Sequence, residues 1–246
     1  MKSSSALYDA FSAERSNILT VIDISDATVP AKIRLVDRIR DQIVTGTFAL
    51  GARLSDKEIA AEMKVSRTPV REALLQLQSE GLIVVRPRSG TFVFGVSESD
   101  LSQICEMRSL FEIGALKMAA AGNPATLVGA LTYPVAEAAL ALEDKDYARC
   151  EALDTVFHET LIALSGNRYL VDSYRTISTK VRALRSRLPQ NHARIAGAIA
   201  QHRRIIDLVA VGRAEAASNE LASHVSNVRH QLRAVTTDGV ALQATG

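Results

Sequence analysis

"VSRTPVREAL", residues 65–74, decides the fold. Ser66 stands where a helix cap is expected, and Pro69 falls in the first turn, where a missing N–H costs nothing. Gly81 stops the same helix. Upstream, "LSDKEIAAEM" (54–63) starts another helix, with Ser55 and Glu58 at the spacing of a capping box. Before that, Leu35, Ile39, Ile43 and Val44 recur at helical spacing between Ile33 and Thr45, and Gly46 ends the run. Downstream, "LIVVRPRSGTFVFG" (82–95) reads as two short strands, about 82–86 and 91–95, around a Pro/Ser/Gly turn. Helix, helix, short turn, helix and hairpin make a winged helix-turn-helix.

In that motif the first turns of the third helix enter the major groove, which places Arg67, Thr68 and Arg71 there. Arginine can bond guanine O6 and N7 together, and threonine can meet a phosphate or a thymine methyl. Arg86 and Arg88 on the hairpin reach toward an adjacent backbone or minor groove, and Gly90 permits the tight turn. The competing interpretation is an amphipathic helix with solvated arginines. Charge distribution argues against it. The whole chain carries a formal charge of only +2, but residues 31–95 hold 11 Lys+Arg against 7 Asp+Glu. Residues 96–246 balance at 16 against 16, so the basic excess sits on the motif.

The 47% apolar content supports extensive cores, and the 4% aromatic content points to helices built on small aliphatic residues. No continuous run of about eighteen apolar residues occurs, so nothing is expected to span a membrane, and the N-terminus does not read as a signal peptide. Cys105 and Cys150 fall in helical patterns and make no disulfide framework, so a reducing cytoplasm is the default. Residues 1–30 are expected to be a loosely ordered extension and 236–246 a tail.

After the hairpin the pattern is helical throughout, with breaks at Asn123-Pro124, 143–146, Gly166-Asn167, Pro189 and Gly212. Six helices follow, roughly 98–121, 124–142, 145–164, 168–188, 190–211 and 213–235. Short connections imply antiparallel neighbours. The expected fold is therefore mainly α: a winged helix over 31–95, then an antiparallel six-helix bundle over 98–235.

Four polar groups fall at one height in that bundle. Asp154 and His158 are four apart, with Cβ atoms about 5–6 Å from each other. His202 and His224 flank the Gly212 turn, ten residues before and twelve after, roughly 15–18 Å along their helices. The third and fifth bundle helices run parallel, which brings His158 level with His202. Three imidazoles and one carboxylate suit zinc, nickel or manganese and leave positions open for water or a ligand carboxylate. Arg108 reaches the same level from the first bundle helix. It is either a clamp for a small carboxylate or one half of a salt bridge with Glu112. Cys150 reads as a structural thiol, His192 and His230 as exposed residues near helix ends, and Asn167 as a helix cap. Arg182, Arg185 and Arg187 read as a solvated basic helix end, with extra pocket contacts as the alternative.

Residues 33–94 resemble the winged helix of GntR-family transcription regulators, through "SRTPVREAL", "EGLIVVRPRSGTFV" and "GTFALGARL". One departure is Leu50, where the family usually has proline before the glycine; it touches a turn and not the reading helix. The resemblance implies DNA contacts at Lys57, Ser66, Arg67, Thr68 and Arg71, a wing near Arg86 to Gly90, and dimers on short palindromes. Residues of about 100–230 resemble the FCD ligand-binding domain of the FadR-like branch, in its six-helix, VanR-like version. The motifs are "EMRSLFE" (106–112), "DTVFHETLIALSGN" (154–167), "QHRRIIDLVAVGRAEAA" (201–217) and "SHV" (223–225). This implies Asp154, His158, His202 and His224 as metal ligands, zinc being the leading metal, and Arg108 as the contact to a small organic acid effector.

The expected function is a dimeric, metabolite-responsive transcription regulator acting as a repressor. A competing class is a metal-dependent hydrolase or lyase tethered to DNA, since an open metal position lowers the pKa of bound water. That reading lacks a carboxylate clearly placed as general base: Glu112 and Glu159 each have a simpler explanation. A third alternative is a purely structural metal.

Overall fold

A computed structural model of the chain describes residues 31–238. The expectations for residues 1–30 lie outside them, as does most of the expected C-terminal tail. The first helices and strands are α1 (Ala31–Thr45), β1 (Arg53–Leu54), α2 (Asp56–Met63), α3 (Arg67–Ser79), β2 (Ile83–Arg86) and β3 (Gly90–Val93). The apolar stripe of α1 does what its spacing predicts: Leu35, Ile39, Ile43 and Val44 are all buried. Strand β1 was not expected. Two residues are too few for alternation to show in a sequence, and it exists because Arg53 and Leu54 pair with Phe92 and Thr91 of β3. Strand β3 is central, antiparallel to both β1 and β2. In the wing turn Arg88 takes a left-handed backbone (φ 61°) and Gly90 a φ of 121°. Glycine suits that backbone; a Cβ there would stand 3.0 Å from Arg53 Nε, a contact the exposed arginine side chain can relieve by moving.

Two helix starts differ from the sequence reading. The Ser55 hydroxyl accepts from Glu58 N–H (3.3 Å), but the return bond is not made and Glu58 stays exposed. Ser66 sits at the cap position of α3, yet its side chain makes no cap bond. The complete box is at the start of the bundle, where Ser97 and Asp100 satisfy each other's N–H groups. It escaped notice because its third residue is Asp and not the Glu or Gln of the usual pattern.

The bundle helices are α4 (Glu98–Gly122), α5 (Pro124–Glu143), α6 (Tyr147–Ala163), α7 (Arg168–Arg185), α8 (His192–Ala210) and α9 (Ala214–Asp238). Asn167 caps α7 as expected, accepting from Tyr169 and Leu170 N–H. Helix α5 is long and apolar enough to cross a membrane by length and composition alone, though it holds no continuous apolar run of that length. Here it packs between α6 and α8, burying Leu127, Leu131, Val135 and Ala138. Cys105 and Cys150 are buried free thiols.

The winged helix and the bundle share one core. Ile39, Val70 and Leu77 belong to the same apolar cluster as Leu101, Leu184 and Val228 of the bundle. At this joint the solvated basic helix end is overturned. Arg187 donates to the carbonyls of Ile43 (2.7 Å), Val44 (2.9 Å) and Phe48 (3.3 Å), and Ser186 Oγ also donates to Val44 O. The last carbonyls of a helix lack intrahelical partners, so this arginine closes the C-terminus of α1 from another domain. Arg185 is buried as well, pointing the opposite way, into the bundle.

Candidate metal centre and DNA-reading surface

Four helices place polar side chains at one level inside the bundle: Arg108 from α4, Asp154 and His158 from α6, His202 from α8 and His224 from α9. One ligand atom from each of Asp154, His158, His202 and His224 lies within 4.8 Å of the others. The three imidazoles are buried, with ring centroids 4.6–5.3 Å apart. Phe157 stacks on His202 at 3.9 Å with the rings 11° from parallel, which fixes that ring's plane.

Hydrogen bonds then set which nitrogens face inward. The Arg108 guanidinium can only donate, so His158 Nε2, 2.8 Å from Nη2, presents a lone pair. The proton of neutral His158 is therefore on Nδ1, 3.1 Å from Glu112 Oε2. His224 Nδ1 lies 3.3 Å from Gln201 Oε1 and donates to it, leaving Nε2 as the free acceptor. One imidazole held from behind by an amide and another facing a carboxylate at ion-pair distance resemble the usual surroundings of metal-bound histidines. His202 Nε2 is buried with no hydrogen-bond partner, an arrangement that costs about 1–3 kcal/mol unless something occupies its lone pair. Burial lowers the pKa of all three histidines, most strongly His202 and His224, and keeps them neutral as metal ligands must be. The donor set fits a divalent transition metal once Arg108 Nη2 gives up the His158 Nε2 lone pair.

Of the two roles left open for it, Arg108 makes the salt bridge with Glu112. Its Nε donates to Glu112 Oε1 (2.7 Å), but the pair is fully buried and not on the surface. Burial opposes ionisation of Glu112, while Arg108 and His158 outweigh it and hold the carboxyl well below its ordinary range. Tyr174 donates its hydroxyl to the same oxygen (2.9 Å). Arg108 Nη1 is left buried and unpartnered beside the imidazoles.

Sequence reasoning named Glu112 as the partner of Arg108, missed Tyr174 and Gln201 as supports, and gave Arg185 a pocket contact only as the lesser reading. The Arg185 guanidinium pairs with Asp154 Oδ2. Burial, then repulsion from Arg108, lowers its pKa to about 9, so it remains charged at neutral pH. Beside it a cavity of about 20 Å³ touches Asp154, His202, Cys150 and Arg194, room for a water molecule. Cys150 is both the buried structural thiol expected and part of this wall. His192 and His230 are exposed, as expected.

At the other end, Lys57, Ser66, Arg67, Thr68, Arg71, Arg86 and Arg88 are all exposed. Arg67 (2.9 Å) and Arg71 (2.6 Å) converge on Asp56, the first residue of α2. Arg71 and then Arg67 hold that carboxyl below its ordinary pKa. Both arginines line one concave surface with Gly90 and Thr91 of the wing, and Arg86 lies 4.9 Å over the Phe92 ring.

Residues 32–93 match the family of bacterial regulatory proteins called gntR, and residues 103–227 match the FCD domain. An HTH-type transcriptional regulator from an unstable DNA locus of Streptomyces ambofaciens is 32% identical over 215 residues, covering 85% of this chain and 87% of its own. The chain belongs to the gntR family. The gluconate operon transcriptional repressor of Bacillus subtilis is 32% identical over 158 residues, covering 61% of this chain and 65% of its own. The crystal structure of a GntR regulator from Rhodococcus sp. RHA1 superposes with a TM-score of 0.71 at 25% identity, covering 82% of this chain and 97% of that one.

Members of this GntR–FCD group are transcription regulators, and so is this chain: a DNA-binding regulator, not an enzyme. Of the two carboxylates that an enzymatic reading would call on, Glu112 is buried and held through Oε1 by Arg108 and Tyr174, and Glu159 is exposed.

Proposed function

We propose that the chain is a dimeric, cytoplasmic repressor whose bundle holds one divalent transition metal, zinc by the chemistry of its ligands, on Asp154, His158, His202 and His224. A small carboxylate effector reaches that metal and takes a charge-assisted bond from Arg108. The observation that carries this reading is the cluster itself: three neutral imidazoles and a carboxylate with converging atoms, beside a buried guanidinium with one unpartnered nitrogen. Chelated metal would supply the missing partner for His202 and a Lewis-acidic anchor for the effector.

Lys57, Ser66, Arg67, Thr68 and Arg71 are the operator contacts, with the wing from Arg86 through Arg88 to Gly90 beside them. Their exposure and the convergence of Arg67 and Arg71 support this. Asp56 keeps the two arginines extended in the free protein and yields them to bases or phosphates on binding. Effector binding relieves repression by favouring one placement of the paired winged helices. We read the chain as a DNA-binding winged helix over 31–95 and an effector domain over 98–235, a division that the family matches over 32–93 and 103–227 support.

Elemental analysis of the purified protein, paired with mass spectrometry of acids released on denaturation, tests the sensing half. About one transition metal per chain is expected, lost in His158→Ala and His224→Ala. Unchanged metal content in both variants would refute the four-ligand site. For the reading half, Arg67→Ala should weaken specific operator binding at least tenfold while leaving metal content intact. Equal binding of operator and random DNA by the wild-type chain would remove the operator assignment.

A further inference from the structure

The bundle site carries a charge imbalance once its metal is counted. Two cations, Arg108 and Arg185, and two carboxylates, Glu112 and Asp154, meet there, and their formal charges cancel. Arg194, at the edge of the same cavity, is balanced by Glu151 at 3.4 Å. Adding a divalent ion to neutral imidazoles leaves two uncompensated positive charges. Arg108 and Arg185 are both buried, Phe157 and Leu161 are fully covered, and His158, His202 and His224 are almost so. Uncompensated charge in such surroundings costs several kcal/mol. One carboxylate would cancel half of it.

We propose that the effector is a small dicarboxylate, one carboxylate taken by the metal and Arg108 and the other by Arg185. This rests on the metal-and-carboxylate reading above and narrows it to a charge class. Arg185 is the residue that can serve the second group. Its ion-pair partner among the described residues is Asp154, the same side chain that the metal would claim, so loading the site frees this guanidinium. It also stands in a wall: Arg185 and Glu151 border both the small cavity at His202 and a much larger groove that opens between α1 and the bundle. Turning Arg185 toward that groove joins the two spaces and makes room for a chain of a few carbons. The next two residues, Ser186 and Arg187, hold the end of α1, so this movement occurs where the DNA-binding domain is attached.

Calorimetry on the full-length, zinc-loaded protein tests this with malonate, succinate and glutarate against acetate, propionate and butyrate. At least one dicarboxylate should bind about tenfold more tightly than every monocarboxylate. Arg185→Gln should shrink that preference to about threefold or less, and Arg185→Lys should restore much of it. In the metal-free protein, Arg185→Gln should also raise zinc affinity several-fold in competition with a chromophoric chelator, because a cation no longer contests Asp154. Equal binding of both classes, or a preference unchanged in Arg185→Gln, overturns the dicarboxylate assignment while leaving the carboxylate site standing. A chain that takes up no zinc, or a loaded chain that binds neither class, overturns the underlying reading and this inference with it.

Discussion

Arg108 and Glu112 show how a buried pair constrains what a substitution can report. Removing Arg108 alone strands an ionised carboxylate with no access to water, so Arg108→Ala is expected to cost about 3–5 kcal/mol of stability. The double variant Arg108→Met with Glu112→Gln should recover most of that loss in denaturant titrations. If the single variant loses less than about 1 kcal/mol, the pair is not the buried, mutually dependent unit described. A truncation at Arg108 therefore cannot by itself isolate effector binding. The histidines make a separate prediction, for chelator-treated protein. Their folded pKa values lie below the ordinary 6.5, so the unfolded chain binds more protons at acid pH. The stability they contribute is complete above about pH 7 and falls as pH drops through 6.5 toward the folded values, by about 1.4 kcal/mol per pH unit for each proton taken up on unfolding. Denaturation at pH 7.5, 6.5 and 5.5 measures this, and His202→Gln should flatten the slope. Equal stability at all three would mean that the folded site protonates freely.

Between helices, contacts that depend on regular rise were legible and contacts that depend on packing direction were not. Asp154, His158, His202 and His224 could be levelled from their distances to turns, because an α-helix advances by a constant step. Helix limits came out within a few residues for the same reason, since Gly46, Gly81, Asn123, Asn167 and Gly212 mark them. Arg185 and Arg187 were ranked as solvated because arginines near a helix end usually face water. Nothing local says that one points into the bundle and the other toward α1. Strand β1 was invisible because its only signal is its partner. The Arg187 contact gives the element-scale prediction: Arg187→Ala removes charge-assisted bonds to the last turn of α1 and should cost about 1.5–3 kcal/mol. Amide exchange should rise for residues 43–48 while zinc stoichiometry stays the same. Exchange that rises uniformly along the chain would mean that Arg187 is only a general support.

At the scale of the whole molecule, the periodicity of each helix announced that a face is buried but not against what. The two apparent domains therefore hid a common core, in which Leu101, Leu184 and Val228 pack with Ile39 and Leu77. On the dimeric reading proposed above, a winged helix seated that firmly on its bundle would rely on a second copy to present the other half of a palindrome. The exposed apolar residues on α4 mark the face that we propose for that contact. Met107 is 41% exposed, Leu110 68% and Met118 45%, on a helix whose opposite side carries Arg108 and Glu112. Beside Leu110, Ile113 and Gly114 of α4 form a groove with Ala222 and Ser226 of α9, shallow enough to receive another helix. A charge at its centre should prevent that. Leu110→Glu is expected to elute as a monomer with its zinc retained and to bind a palindromic operator at least tenfold more weakly than the wild-type chain, while binding an isolated half-site comparably. Light scattering coupled to size exclusion decides the point: a Leu110→Glu protein that remains dimeric puts the joint on another face.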